Sequence, residues 1–156
     1  MAQYDIDLTP LADQLQQDGV AFGSDNPANW QLEETLLEAL EQASGEGLPQ
    51  FGVVVLEETP PGAGVRDVAQ DLSLMTEIDT VIVRTPHTGA AVSETLTRSE
   101  IERAQDAMLA QVDYAQGLKV FAESAMQQHT SWGIVLGTIA LLGVIVVVAT
   151  AFCVKR

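Results

Sequence analysis

An apolar run at the C-terminus limits what this chain can fold into more than any other feature. The 22 residues from Gly133 to Val154 carry no charge, and they include the only cysteine, Cys153. As a helix this run would extend about 33 Å, against roughly 30 Å for the hydrocarbon core of a bilayer. A buried core helix is the alternative, but it would need more covering protein than the rest of the chain supplies. We therefore expect residues 131–156 to form a transmembrane helix with a short basic end, and the lipid bilayer to be one partner.

The residues at the two ends of this run predict its orientation. Trp132 suits one membrane interface, while Lys155 and Arg156 suit the other. Basic residues beside a span favour the cytoplasmic side, so we expect a single-pass protein of the cell membrane with a cytoplasmic C-terminus and an extracytoplasmic N-terminal domain. The first residues lack the basic and apolar regions of a signal peptide, which keeps a cytoplasmic tail-anchored adaptor open as the alternative.

Small residues recur on one face of the expected span. Gly133, Gly137 and Ala140 have the spacing that lets two membrane helices approach closely. This stripe makes a homodimer through the span one candidate assembly.

The segment before the span is strongly acidic. Residues 1–131 contain five basic and 22 acidic side chains, which gives a net charge of −17. Such a surface does not attract nucleic acid, which we exclude as a partner. Divalent cations remain open because carboxylates are ligands that Ca²⁺ prefers, but we expect no other cofactor. The weak candidates for a calcium site are Asp5, Asp7, Asp67 and Asp71.

The order of apolar patterns in residues 1–130 predicts one α/β domain. A short helix after Pro10 should end at Gly19, and a Leu-rich helix should begin near Asn26, which would cap it. The run Phe51–Glu58 and a second run, DTVIVRTP, are typical of buried strands, and a helical pattern lies between them. Strand, helix and strand within about 35 residues predict a βαβ unit with parallel strands.

Two more elements are expected after the second strand. Ala90–Glu94 favours a short antiparallel edge strand. The sequence TRSE, from Thr97 to Glu100, has the spacing of a capping box and predicts the start of a long helix. We expect this helix to continue to Gly117, a candidate break, and on towards the span. One face of it would be formed by Ile101, Ala104, Met108, Val112 and Ala115.

The segments DIDLTPLADQL, DGVAF, FGVVVLEE and VIVRTP, followed by the span, resemble the small actinobacterial membrane proteins that carry a TPM-like domain. The resemblance covers roughly residues 4–154. It implies a compact α/β domain displayed outside the cytoplasmic membrane and a function in the cell envelope, near cell-wall hydrolases, with phosphatase activity in some members. This chain departs from the family pattern in the glycine-bearing segment after the second strand, and no site residues are carried over.

Two turns hold the residues that could bind a ligand. The turn RTPHTG follows the second strand at the end where α/β sheets gather ligands, so Arg84, Thr85 and His87 form a candidate ligand turn. The turn TPPGAGVRD would place Arg66 near a helix start, but it lacks the residues of a phosphate loop. Neither turn supplies a nucleophile with an identifiable base, so we assign no catalytic residues.

These observations favour a membrane-anchored, non-catalytic interaction domain that binds an unidentified protein partner. The resemblance implies cell-envelope maintenance or the regulation of cell-wall remodelling as its context. A phosphatase-like or metal-dependent envelope enzyme is the alternative from a different class, and it would require Asp5, Asp7 and His87 to lie close together.

Overall fold

A computed structural model describes residues 6–44 and 49–126 of the chain. All of them except Met126 belong to one compact unit, Met1–Ala125. Within these two described ranges, no helix combines the length and the apolar character that a bilayer span requires. The expected span lies outside the described residues, and so do its anchor residues Trp132, Gly133, Gly137, Ala140, Lys155 and Arg156.

The described residues form a mixed α/β domain with a four-stranded sheet and five helices. The sheet has the order β1-β2-β3-β4, in which the first three strands are parallel and β4 runs antiparallel to β3. The elements are α1 (Thr9–Asp18), β1 (Val20–Phe22), α2 (Asn29–Ala43), β2 (Phe51–Val55), α3 (Gly64–Met75), β3 (Thr80–Arg84), β4 (Gly89–Ser93), α4 (Arg98–Leu109) and α5 (Tyr114–Met126).

The predicted βαβ unit is confirmed as β2, α3 and β3, and the predicted edge strand is confirmed as β4. Strand β1 was not predicted. It follows α1 directly, because Gly19 adopts a φ of 87° and turns the chain out of the helix. Three residues are too few to show the alternation by which a strand is recognised.

Helices cover both faces of the sheet. Side chains of α1 and α3, such as Leu15 and Leu72, form one buried cluster with Val54 and Val83. Neighbouring strand residues point to opposite faces, so Val53 and Ile82, which are also buried, face the other layer. That layer is formed by helices α2, α4 and α5.

Two contacts from α4 and α5 hold the layer of helices α2, α4 and α5 against the sheet. Phe121 of α5 packs edge-on against Phe51 of β2, with ring centroids 6.2 Å apart and an interplanar angle of 87°. Met108 of α4 lies against Gly89 of β4, so closely that a Cβ there would be 3.3 Å from the methionine methyl carbon. Both contacts tie the end of the domain to the sheet.

The prediction of one long helix after Thr97 is wrong in its extent. The capping box of Thr97 and Glu100 is confirmed, but α4 ends at Leu109 and α5 begins at Tyr114. Val112, predicted on the buried face, is 96% exposed in the connection. Gly117 is not the break, since it lies buried within α5, where an added Cβ would be 3.2 Å from the Met108 carbonyl oxygen.

The start of α2 also differs from the prediction. The helix begins at Asn29, and Asn26 lies in a turn before it. The Asn26 side chain still accepts a hydrogen bond from the Ala28 N–H at 3.0 Å, so it satisfies a backbone donor just ahead of the helix. The prediction that Asn26 caps the helix is therefore wrong, since the N-cap residue is Ala28 and no side chain caps it.

Candidate interaction site

Arg84 of the predicted ligand turn is part of the fold. Its guanidinium donates from Nη1 to the Met108 carbonyl at 3.1 Å and from Nη2 to the Gln111 carbonyl at 2.7 Å. The group also lies over the Tyr114 ring, 5.2 Å from its centroid. Burial lowers the pKa of Arg84, and the nearby Tyr114 raises it to a smaller extent. A cation at the carboxyl end of a helix is favourable, so Arg84 stabilises the connection between α4 and α5.

Thr85 and His87 are not brought together with the buried guanidinium of Arg84. Thr85 is buried, where its hydroxyl donates to the Thr88 carbonyl at 3.1 Å and accepts from the Thr59 hydroxyl at 2.9 Å. His87 is exposed in the link between β3 and β4. The predicted ligand turn is thus a hairpin connection in which Thr85 bonds to Thr88, while Arg84 binds carbonyls near the end of α4.

The acidic candidates for a metal site occupy separate surroundings. Asp7 accepts a hydrogen bond from the Thr9 N–H at 3.0 Å, just before α1. Asp67 lies in the first turn of α3, where a negative charge is favourable, and Asp71 follows one turn later. No three or more metal-ligating side chains converge anywhere in residues 6–44 and 49–126, while Asp5 lies outside these ranges.

A groove lies over the outer edge of β4. It has a volume of about 600 Å³ and runs between α3 and α4, with β4 along its floor. The residues that line it are Thr59, Gly62, Ala63, Val65, Arg66, Gln70, Thr88, Gly89, Ala90, Ala91, Val92, Ser93, Leu96, Arg98, Ile101, Glu102 and Gln105.

The floor of this groove, which we call the β4 groove, is the outer edge of the sheet, where Gly89, Ala90 and Ala91 are buried and Val92 and Ser93 are partly exposed. All five residues of β4 are in register with β3, and the Ala91 N–H points away from β3 and donates to Gln105 Oε1 at 3.2 Å. Because successive residues of an antiparallel strand alternate in this respect, the backbone groups of Gly89 and Ser93 also point away from β3. A side chain of α4 therefore occupies the middle donor of this strand edge.

The β4 groove concentrates positive charge in an acidic domain. Arg66 and Arg98, two of the five basic residues in residues 1–131, line it together with the acidic Glu102. Arg98 Nε pairs with Glu102 Oε1 at 2.8 Å on the exposed surface, and this hydrogen bond raises the pKa of Arg98. Arg66 forms no ion pair with the part of the chain that the structure describes. The sequence placed Arg66 near a helix start, but it did not predict the groove or the presence of Arg98 in its lining.

Comparison with known proteins gives one family. A family model described as membrane protein Rv1476 matches residues 2–156. Among solved structures, the N-terminal domain of the cg2496 protein from Corynebacterium glutamicum, determined by solution NMR, is 18% identical with a TM-score of 0.49, and the match covers 80% of this chain and 86% of that chain. The comparison with curated proteins found no match.

Proposed function

We propose, from the premise that this chain belongs to the Rv1476 membrane protein family, that its acidic α/β domain is a non-catalytic module that binds another protein close to a membrane. The observation that carries this proposal is the β4 groove, an outer strand edge between two helices with Arg66 in its wall, which forms no ion pair within the described residues. The outer edge of a sheet offers main-chain groups that a second chain can pair with, once a covering side chain such as Gln105 moves aside.

The proposal contains no catalysis and no cofactor. Its support is the use that the fold makes of the predicted ligand turn, because Arg84 Nη1 and Nη2 and the Thr85 hydroxyl bind backbone carbonyls. His87 is exposed, and no group of three or more metal-ligating side chains is found among the described residues. The likeness in element order to TPM-like domains, noted from the sequence, supports cell-envelope maintenance or the regulation of cell-wall remodelling as the context.

Photocrosslinking in native membranes tests the binding role of the groove. We expect a photoreactive amino acid in place of Gln70, an exposed residue of the groove wall, to give a discrete adduct with a partner. The same amino acid in place of Gln42, an exposed residue of α2 outside the groove, should give none. The full chain is expressed in its own membrane, irradiated, and the adducts are resolved by size and identified by mass spectrometry.

The crosslinking result also distinguishes binding at the β4 groove from nonspecific binding by the domain. Adducts of equal yield from Gln70 and Gln42, or no adduct from Gln70, would show that the β4 groove is not the binding site. Conversion of phosphate esters by the purified chain, lost in His87→Ala, would favour the enzyme alternative instead.

We further propose that the chain crosses the cell membrane once, through residues 131–156, with the acidic domain outside and the C-terminus in the cytoplasm. The support is the pair Lys155 and Arg156 directly after the apolar run, since basic residues favour the cytoplasmic side. In this arrangement, self-association through Gly133, Gly137 and Ala140 is a secondary proposal that follows from their spacing.

Thiol labelling measures this topology. Cys153 is the only cysteine and lies within the proposed span, so Gln42→Cys would carry the reachable thiol on the domain. We expect a membrane-impermeant maleimide to label Gln42→Cys in intact spheroplasts, with the unsubstituted chain as control. Ser24 is less suitable because its hydroxyl oxygen is buried. Labelling that occurs only after lysis would place the domain in the cytoplasm and favour the tail-anchored adaptor.

A further inference from the structure

We infer that the β4 groove takes an extended peptide segment of a partner protein, which pairs with the outer edge of β4 as a fifth strand and places a carboxylate opposite Arg66. This inference rests on the proposed function and specifies the chemistry of the partner.

The state of the β4 edge is the first argument. The Ala91 N–H, which an added strand would use, already donates to a carbonyl-type oxygen, Oε1 of Gln105. A side-chain amide oxygen is chemically similar to a peptide carbonyl, so Gln105 occupies the position that the first carbonyl of an incoming strand would take. The bond is long, at 3.2 Å, and a Gln105 side chain can rotate away without disturbing α4.

The shape of the site is the second argument. The five residues of β4 extend about 17 Å, and a neighbouring strand would lie about 4.8 Å away, in the space between α3 and α4. Every residue of β4 contributes to the lining of this groove, which has a volume of about 600 Å³, and Gly89, Ala90 and Ala91 lie buried at its base. Apolar side chains of Leu96 and Ile101 lie beside polar ones in the wall, which suits a strand whose alternate residues face different surroundings.

The positive charge of Arg66 favours an acidic residue in the bound peptide segment. Arg66 is exposed and free of ion pairs within the described residues, so a carboxylate placed there would gain a charge-assisted contact. Arg98 is already paired with Glu102, and Asp67 follows Arg66 in the sequence, so the carboxylate would gain its attraction from Arg66 alone. Salt screens the negative charges of the domain that lie further away than the Debye length of about 8 Å.

The same charges disfavour a second copy of this chain as the occupant. Pairing two β4 edges around a twofold axis would bring Arg66 and Arg98 of one copy towards the same residues of the other. It would also bring together two domains that each carry −17. A partner segment with a carboxylate avoids the first difficulty, because its negative charge would face Arg66.

Peptide selection followed by backbone methylation tests the inference. The full chain in lipid nanodiscs is used to select from a phage-displayed library of random decapeptides, and the selected peptides are synthesised for fluorescence anisotropy. We expect β-branched sequences with an Asp or Glu at one position. Arg66→Glu should weaken their binding at least tenfold, whereas Lys119→Glu, the same charge change on α5 outside the groove lining, should leave it within twofold.

Methylated peptides decide whether the main chain is recognised. In a paired strand, every second amide faces β4 and the others face away. N-methyl groups on the amides that face β4 should weaken binding by roughly tenfold or more, because they remove hydrogen bonds to β4, whereas N-methyl groups on the other amides should leave binding unchanged. Equal effects in both registers, selected peptides insensitive to Arg66→Glu, or no selected peptide would overturn the inference. Concentration-dependent dimers lost in Arg66→Glu would also overturn it, in favour of a second copy.

The proposed function and this inference can be disproved independently of each other. If the adduct at Gln70 forms and yet methylation has no register dependence, the groove binds a partner but not by strand addition. If neither the adduct nor a selected peptide is obtained, both the proposed function and this inference are wrong.

Discussion

Replacing Phe121 by alanine should lower the free energy of unfolding by about 3–5 kcal/mol. The ring is fully buried and packs edge-on against Phe51, so its removal leaves a cavity and ends an aromatic contact. Since a domain of this size has a total stability on the order of 5–15 kcal/mol, the loss is a large fraction of it. The measurement is urea unfolding of the full chain in nanodiscs, followed by far-ultraviolet circular dichroism.

The control for this prediction is Val112→Ala. Val112 is 96% exposed in the connection between α4 and α5, so its truncation should change the free energy of unfolding by less than about 0.5 kcal/mol. If Phe121→Ala were as mild as Val112→Ala, α5 would not be part of the folded core of the domain.

Replacing Arg84 by methionine should lower the free energy of unfolding by about 2–4 kcal/mol. The substitution keeps most of the side-chain volume but removes both donors that bind the carbonyls of Met108 and Gln111. Hydrogen bonds from charged groups contribute about 1.5–3 kcal/mol, and the abandoned carbonyls add a penalty where they stay out of water. The same unfolding measurement applies.

Two neighbouring variants sharpen the Arg84 result. Arg84→Lys keeps the positive charge but lacks the planar guanidinium that can donate to two carbonyls at once. We therefore expect it to lower the free energy of unfolding, but by less than Arg84→Met does. His87→Ala, in the exposed link, should leave stability within about 0.5 kcal/mol. If Arg84→Met folded as stably as the unsubstituted chain, the structural role of Arg84 would be wrong and the ligand-turn hypothesis would regain support.

Local and near-local signals in the sequence were sufficient for much of the domain. The capping box of Thr97 and Glu100 depends on residues three apart, and the structure has it as predicted. The βαβ unit follows from two apolar runs and the helix between them, because the handedness and length of such a connection leave few alternatives. The membrane class also agrees with the sequence, since the matching family is one of membrane proteins.

The roles of individual polar residues could not be derived in this way. Arg84 stands at the end of a strand, a position typical of ligand-binding residues, but its acceptors are carbonyls 24 and 27 residues further along the chain. Likewise, the pattern that extended the helix past Leu109 is periodic in sequence, whereas α4 ends at Leu109, beside the carbonyls that Arg84 binds.

The sequence by itself determined the α/β class, the parallel pairing of β2 with β3, the antiparallel edge strand and the acidic character of the domain, because composition, period and capping act over a few residues. Only the tertiary structure decided which polar groups are left for a partner. Arg66 and Arg98 are 32 positions apart and become neighbours of one groove only when α3 and α4 pack on either side of β4. The outer edge of β4 and its charges are properties of that packing, which no local pattern in the chain specifies.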